Sequence, residues 1–258
     1  MPNFNDEQAK DVFKRILYVG DSGEGKTGSL ASLVGAGYKL RIIDMDNGIA
    51  PLRNFVANDY PNTTADISYM SFRDKFKASA AGPVISGRAT AYLGALSALD
   101  KWEDGTNPAE WGEKYILVLD SLTQLGQAAY NFVAFTNPTI REPRQIYNFA
   151  QQHVEKVIAT LSGENFRSHV IVISHIDRVE ENGLVKGFVS SIGKALGPKL
   201  PRYFNTLVQA TSKGTGKNHS RFIQTVPTGL LALKNPAPFR IEAEYPLSTG
   251  MADLFAAL

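Results

Sequence analysis

Gly20, Gly25, Lys26 and Thr27 fall at the spacing G-x-x-x-x-G-K-[ST] in "GDSGEGKT", directly behind the apolar run "RILYV" (15–19). Glycines, a lysine and a hydroxyl at this spacing suit a polyphosphate. Backbone N–H groups from Ser22 to Gly28 can face phosphate oxygens, and the positive end of the following helix adds to them. The expected cradle takes in Gly20, Asp21, Ser22, Gly23, Glu24, Gly25, Lys26, Thr27 and Gly28. Lys26 is expected to reach the outer phosphates and the Thr27 hydroxyl to bind Mg²⁺. The expected ligand is ATP with Mg²⁺.

Splitting such a ligand needs a second handle for Mg²⁺ and a group that orients water. "YILVLDS" offers Asp120 at the end of an apolar run, either as that handle or as the cap of the next helix. In "IIDMDNG", Asp44 and Asp46 alternate around Met45, so they share one face if the chain stays extended. They are either water-orienting carboxylates at the carboxyl edge of a sheet or acids before a turn at Asn47-Gly48. "IVISHID" places His175 after another apolar run. Its imidazole either donates to a γ-phosphate oxygen or bonds nearby backbone. No second histidine or carboxylate at zinc-ligand spacing accompanies it, which argues against zinc.

Bringing these groups together requires strands that end side by side. Residues 15–19, 40–44 ("LRIID"), 67–72 ("ISYMSF"), 115–120 and 169–174 ("HVIVIS") read as strands, several apolar throughout. Helical spacing links Leu30, Leu33 and Val34, with Gly35 and Gly37 as stop signals. It also links Tyr92, Leu93, Leu96 and Leu99; then Leu122, Leu125, Ala129, Phe132 and Val133. The clearest helix aligns Ile146, Phe149, Val154, Val157, Ile158 and Leu161. "KASAAGPVISG" (77–87) reads as a mobile loop and "TNPTIREPRQ" (136–145) as a polar one. "VEENGLVKGF" (179–188) predicts a hairpin about Asn182-Gly183, and "TLVQATS" with "RFIQTVP" a late antiparallel pair. The alternation predicts an α/β fold with a mainly parallel central sheet flanked by helices. With no linker in view, one domain over 1–258 is expected.

The 258 residues are 43% hydrophobic and 20% charged, ordinary globular composition. Without cysteine, disulfides and thiolate metal sites are excluded. A net charge of +2 does not by itself point to nucleic acid or a membrane. The first residues lack a signal-peptide core, and no apolar stretch reaches the roughly 18 residues that cross a bilayer. A cytoplasmic protein without a membrane partner is expected.

In order, "GDSGEGKT", "RIIDMDNGIAPL", "YILVLDSLTQL" and "VIVISHI" resemble the RecA-like P-loop ATPase core over residues 12–226. The resemblance implies ATP hydrolysis, with Asp46 as the catalytic carboxylate; that position is usually Glu, so Asp46 departs from the pattern. It implies that His175 is the γ-phosphate sensor, commonly Gln, on a strand between those of the P-loop and Asp120. More narrowly, with the tail "TVPTGLLALKNP" and "YPLSTGMADLFAAL" in the extension 227–258, the chain looks like phage-encoded proteins of this type. These include Sak-type single-strand annealing ATPases, whose setting is the host cytoplasm.

The same resemblance implies DNA-facing loops at 136–145 and 177–202. Arg141 and Arg144 lie in the first; Lys186, Lys194, Lys199 and Arg202 lie in or after the second, with Phe188, Tyr203 and Phe204 interleaved. Cations with aromatics suit a single strand's phosphates and bases, although Tyr203 and Phe204 also read as core. Arg202 or a neighbouring lysine alternatively reaches ATP on an adjacent subunit. Expected partners are single-stranded DNA, further copies in an oligomer or filament, and a phage single-strand-binding protein. Two other functions fit the residues: a nucleotide-controlled helper protein without DNA, and a small-molecule kinase with Arg141 and Arg144 in a lid and 77–87 as a flap.

Overall fold

The computed structural model describes residues 12–80, 82–181 and 183–258. Its centre is an eight-stranded sheet in the order β12-β11-β10-β1-β7-β6-β2-β3. The strands are β1 (Arg15–Val19), β2 (Lys39–Asp44), β3 (Ile67–Ser71), β6 (Gly112–Asp120), β7 (Ser168–Ser174), β10 (Thr206–Lys213), β11 (Ser220–Gln224) and β12 (Glu244–Pro246). Every pairing from β10 to β3 is parallel; β10–β11 and β11–β12 are antiparallel. The predicted α/β fold is therefore the one observed, including the late antiparallel pair.

Alternation along each apolar strand sends neighbours to opposite faces, and helices cover both. On one face Leu17, Val19, Leu117, Leu119, Val170 and Val172 pack against α4 (Ala91–Asp100), α5 (Leu122–Thr136) and α6 (Pro143–Ser162). On the other, Ile16, Tyr18, Ile42, Val118 and Ile171 meet α2 (Ala31–Gly35), α3 (Ile49–Asp59) and α8 (Gly250–Ala257). Helix α1 (Lys26–Ser29) precedes α2 almost without a break. Beyond 226, β12 and α8 join the same sheet and core.

Three local expectations are corrected. Segment 77–87 is not open loop throughout: β4 (Phe76–Lys77) and β5 (Val84–Ile85) pair as an antiparallel ribbon. In α4 the buried stripe is Ala91, Tyr92, Ala95 and Ala98, whereas Leu93 is exposed. In α6 Ala150, not Phe149, faces the core.

The predicted hairpin is β8 (Ile176–Glu181) paired antiparallel with β9 (Leu184–Val189), Glu181 opposite Leu184. Asn182 in its turn lies outside the described residues. Among the described residues, no helix is long and apolar enough to cross a membrane.

Candidate functional site

The sheet order decides the site. Strands β6, β7 and β1 lie side by side, so their carboxyl ends set Asp120, His175 and the loop after Val19 in a row. β2 adds Asp46 from beyond β6. A cleft of about 520 Å³ opens there, lined by Ser22, Gly23, Gly25, Lys26, Thr27, Gly28, Asp46, Gly48, Pro51, Phe55, Asp120, Gln124, His175 and Arg221. Crevices outside the carboxyl ends of parallel strands are where open α/β sheets bind ligands.

Gly25 turns the loop into α1 at φ 85°, a conformation that L side chains resist. A Cβ there would also stand 2.5 Å from Leu247 Cδ2. Lys26 is buried, and its ammonium donates to the carbonyls of Gly20 and Asp21 at 2.8 Å each. Burial lowers its pKa, opposed by Asp120, Asp46, Asp21 and Glu24.

Two loop residues point their side chains elsewhere. Arg178 on β8 grips Asp21 with both guanidinium nitrogens at 2.8 and 2.6 Å, and Glu24 accepts from Ser212 at 3.0 Å. Their place in the cradle is their backbone.

The Thr27 hydroxyl donates to Asp120 Oδ2 at 2.6 Å. Asp120 is 2% exposed, and burial pushes its carboxyl up to about 6, with Asp46 and Asp44 adding and the Thr27 hydrogen bond opposing. Ser121, joined to it by a cis peptide, caps α5 by accepting from Gln124 N–H. The cap is thus Ser121, which leaves Asp120 free to face Thr27.

Among the described residues no cluster of three or more His, Asp or Glu side chains could hold a metal ion. One hydroxyl and one carboxylate together are a hard-oxygen pair of the kind Mg²⁺ uses when phosphates supply other positions, so the donor set fits that ion.

The expectation that Asp44 and Asp46 share a face fails, because β2 ends at Asp44 and Asn47 adopts φ 63°. Asp44 Oδ1 accepts from Gly48 N–H at 3.1 Å, and Oδ2 from Ser71 at 2.8 Å and Arg73 at 3.1 Å. Asp46 turns into the cleft, where its Oδ2 lies 3.4 Å from His175 Nε2. Its Oδ1 is buried with no hydrogen-bond partner among the described residues.

The backbone of His175 is engaged as well: its N–H donates to Thr123 Oγ1, and its carbonyl accepts from Ser190 N–H. The imidazole itself remains in the cleft. Sequence reading missed Pro51, Phe55, Gln124 and Arg221. Gln124 sits one turn after Asp120 and was findable; Arg221 enters from a distant strand and carries no local signal.

The basic candidates are exposed but do not form one patch. Gly193, opening α7 (Gly193–Leu196), approaches Gln151 and Tyr147, so Lys194 stands beside the second and third turns of α6, whose first turn carries Arg144. Arg202 instead pairs with Glu155, eleven residues and about 16 Å further along α6. Arg141 lies in the loop before α6, Lys186 on β9, and Lys199 in the 3-10 segment Gly197–Tyr203. Phe204 is core, and Tyr203 packs against it while its hydroxyl donates to Glu155.

Among solved structures, a KaiC-like protein from the archaeon Pyrococcus horikoshii aligns at 10% identity over 82% of this chain and 77% of its own, TM-score 0.43. The flagellar accessory protein FlaH from Methanocaldococcus jannaschii aligns at 9% identity over 96% and 95%, TM-score 0.46. The RadB recombinase aligns at 14% identity over 92% and 89%, TM-score 0.49. No curated protein matches the chain. The AAA domain family AAA_24 matches residues 13–237, and the chain belongs to this family of P-loop ATPases.

Proposed function

We propose that the chain is an Mg²⁺-dependent ATPase whose hydrolysis centre is the Asp46–His175 pair, and that it acts on single-stranded DNA as an oligomer. The observation that carries the first part is the 3.4 Å approach of His175 Nε2 to Asp46 Oδ2 in the phosphate cleft. Asp46 accepts a proton from the attacking water and orients it, while His175 donates to the γ-phosphate. Lys26 leaves the carbonyls of Gly20 and Asp21 for the outer phosphates. Thr27 and Asp120 are the residues that would hold Mg²⁺, which would supply positive charge to offset that of the phosphates.

The DNA part is supported by the hairpin β8–β9. It begins one residue after His175 and is tied to the P-loop by the Arg178–Asp21 pair. A ligand on the hairpin thus acts on both ends of the phosphate site. With the resemblance of the sequence, this supports a role in phage-type recombination or single-strand annealing, with a single-strand-binding protein as partner.

A second reading, a nucleotide-controlled helper that grips a protein, is favoured by the hairpin tip, where Leu184 is 66% and Val185 43% exposed. Phosphate release with and without single-stranded DNA separates the two. DNA-stimulated release and salt-sensitive strand binding are expected. Release that ignores DNA, together with no strand binding, would leave the helper reading.

A further inference from the structure

Between β3 and α4 the chain turns basic. Residues 72–99 contain one acid, Asp74, against the cations Arg73, Lys75, Lys77 and Arg88. The acid is engaged at the base of the β4–β5 ribbon. Its Oδ1 accepts the N–H groups of Thr90 and Ala91 at 2.9 and 3.0 Å, where α4 begins, and its Oδ2 accepts from Asn131 of α5 at 2.9 Å. Arg73 is engaged as well, by Asp44. Lys75, Lys77 and Arg88 are exposed, and none of them has an ion-pair partner among the described residues. By contrast, Arg178, Arg202 and Lys213 are answered by Asp21, Glu155 and Glu244.

The ribbon sorts these groups by face. Phe76 stands opposite Ile85 and Lys77 opposite Val84, and the Ser86 N–H donates to the Lys75 carbonyl at 2.7 Å. Alternation puts Lys75 and Lys77 on one face, about 7 Å apart, and Phe76 with Ile85 on the other. Phe76 is 59% exposed, so covering its ring with a ligand removes apolar area that folding leaves in water. With only two strands in the ribbon, β4 keeps a free long edge. A single nucleic-acid strand along that edge lays its phosphates towards the lysine face and turns a base onto the ring. In a duplex the bases are already stacked and offer Phe76 nothing.

The ribbon follows the carboxyl end of β3, as the hairpin β8–β9 follows that of β7. Both arms therefore start from one edge of the sheet, three strand spacings or roughly 14 Å apart.

We infer that the β4–β5 ribbon is a contact for single-stranded DNA, with Lys75, Lys77 and Arg88 holding phosphates and Phe76 a base. It lies outside the segments 136–145 and 177–202 that the sequence resemblance assigns to DNA. The inference rests on the strand-binding reading and gives it a further place on the molecule.

The test is binding of a fluorescent oligodeoxythymidylate to the full chain over a series of salt concentrations. Wild type is compared with the triple variant Lys75→Ala, Lys77→Ala, Arg88→Ala and with Phe76→Ala. All four side chains are exposed, so unchanged thermal midpoints are expected and show that the variants are folded. The triple variant should bind at least tenfold more weakly, with a salt slope lower by about two units, since each phosphate contact on a single strand carries about 0.7. Phe76→Ala should bind about tenfold more weakly with its salt slope unchanged, the signature of a lost base stack. Wild-type affinity in both variants overturns the inference and leaves the strand on the other basic groups. Variants that keep the oligonucleotide but lose binding to phosphatidylserine vesicles overturn it in favour of a lipid contact. Wild type that binds no oligonucleotide overturns the strand-binding reading, and this inference with it.

Discussion

Asp44 and Asp46 stand two positions apart, yet their surroundings assign them opposite work. Asp44 is nearly fully buried and takes hydrogen bonds from Gly48, Ser71 and Arg73, so it fixes the turn that aims Asp46. Removing it takes away three hydrogen bonds, whose donors are half-buried or exposed and can turn to water, and Asp44→Ala is expected to cost about 1–2 kcal/mol, read from chemical denaturation. Asp46 has a buried oxygen with no partner among the described residues, which is unfavourable in the folded state. Asp46→Asn is therefore expected to leave stability unchanged or slightly raised. A stability loss in Asp46→Asn as large as that in Asp44→Ala would show that Asp46 is a structural acid too. The motif located both residues, but only the end of β2 and the positive φ of Asn47 separate them.

At the scale of elements, His169, the second residue of β7, binds the C-terminal helix to the sheet. Its ring meets Phe13, Tyr38 and Phe255 edge-on, and its Nδ1 accepts from the Lys14 N–H at 3.0 Å. Burial, helped by the Lys14 charge, pushes its pKa down to about 4. Between about pH 4 and 6.5 the folded chain then binds fewer protons than the unfolded one. Its contribution, roughly 3 kcal/mol at neutral pH, is lost as pH falls through that window. Asp120, raised to about 6, acts in the opposite sense, so the informative quantity is a difference. Denaturation midpoints of wild type minus His169→Gln should fall from pH 7 to pH 4; a flat difference would contradict this.

Strands β1 and β7 and the second half of β6 were legible because each is a buried apolar run. Helix faces were less so: Leu93 and Phe149 fit the helical spacing, but the sheet accepts Ala95 and Ala150 instead. The P-loop, Asp120 and His175 were readable as motifs at strand ends. Phe55, Arg221 and Leu247 were not, because only tertiary packing brings them to Gly28 and Gly25.

For the whole molecule, the small net charge means that the proposed strand binding would have to come from local groups. Arg141 and Arg144 lie at the start of α6 and Lys194 beside Tyr147 and Gln151 further along it, whereas Arg202 is compensated by Glu155. Alanine at the first three together is expected to weaken single-strand binding and flatten its dependence on salt, by about one slope unit for each phosphate no longer neutralised. Arg202→Ala should leave that slope unchanged, and the reverse pattern would move the strand to the other end of α6.

The central claim is that the row of strand ends holds a hydrolysis centre and not merely a nucleotide. Its most direct measurement pairs ATP binding with phosphate release in wild type, Lys26→Ala and Asp46→Asn. Lys26→Ala should lose binding. Asp46→Asn should bind ATP as wild type does, with release slowed about a hundredfold or more, the usual effect of removing a general base. Release at the wild-type rate in Asp46→Asn would contradict the account.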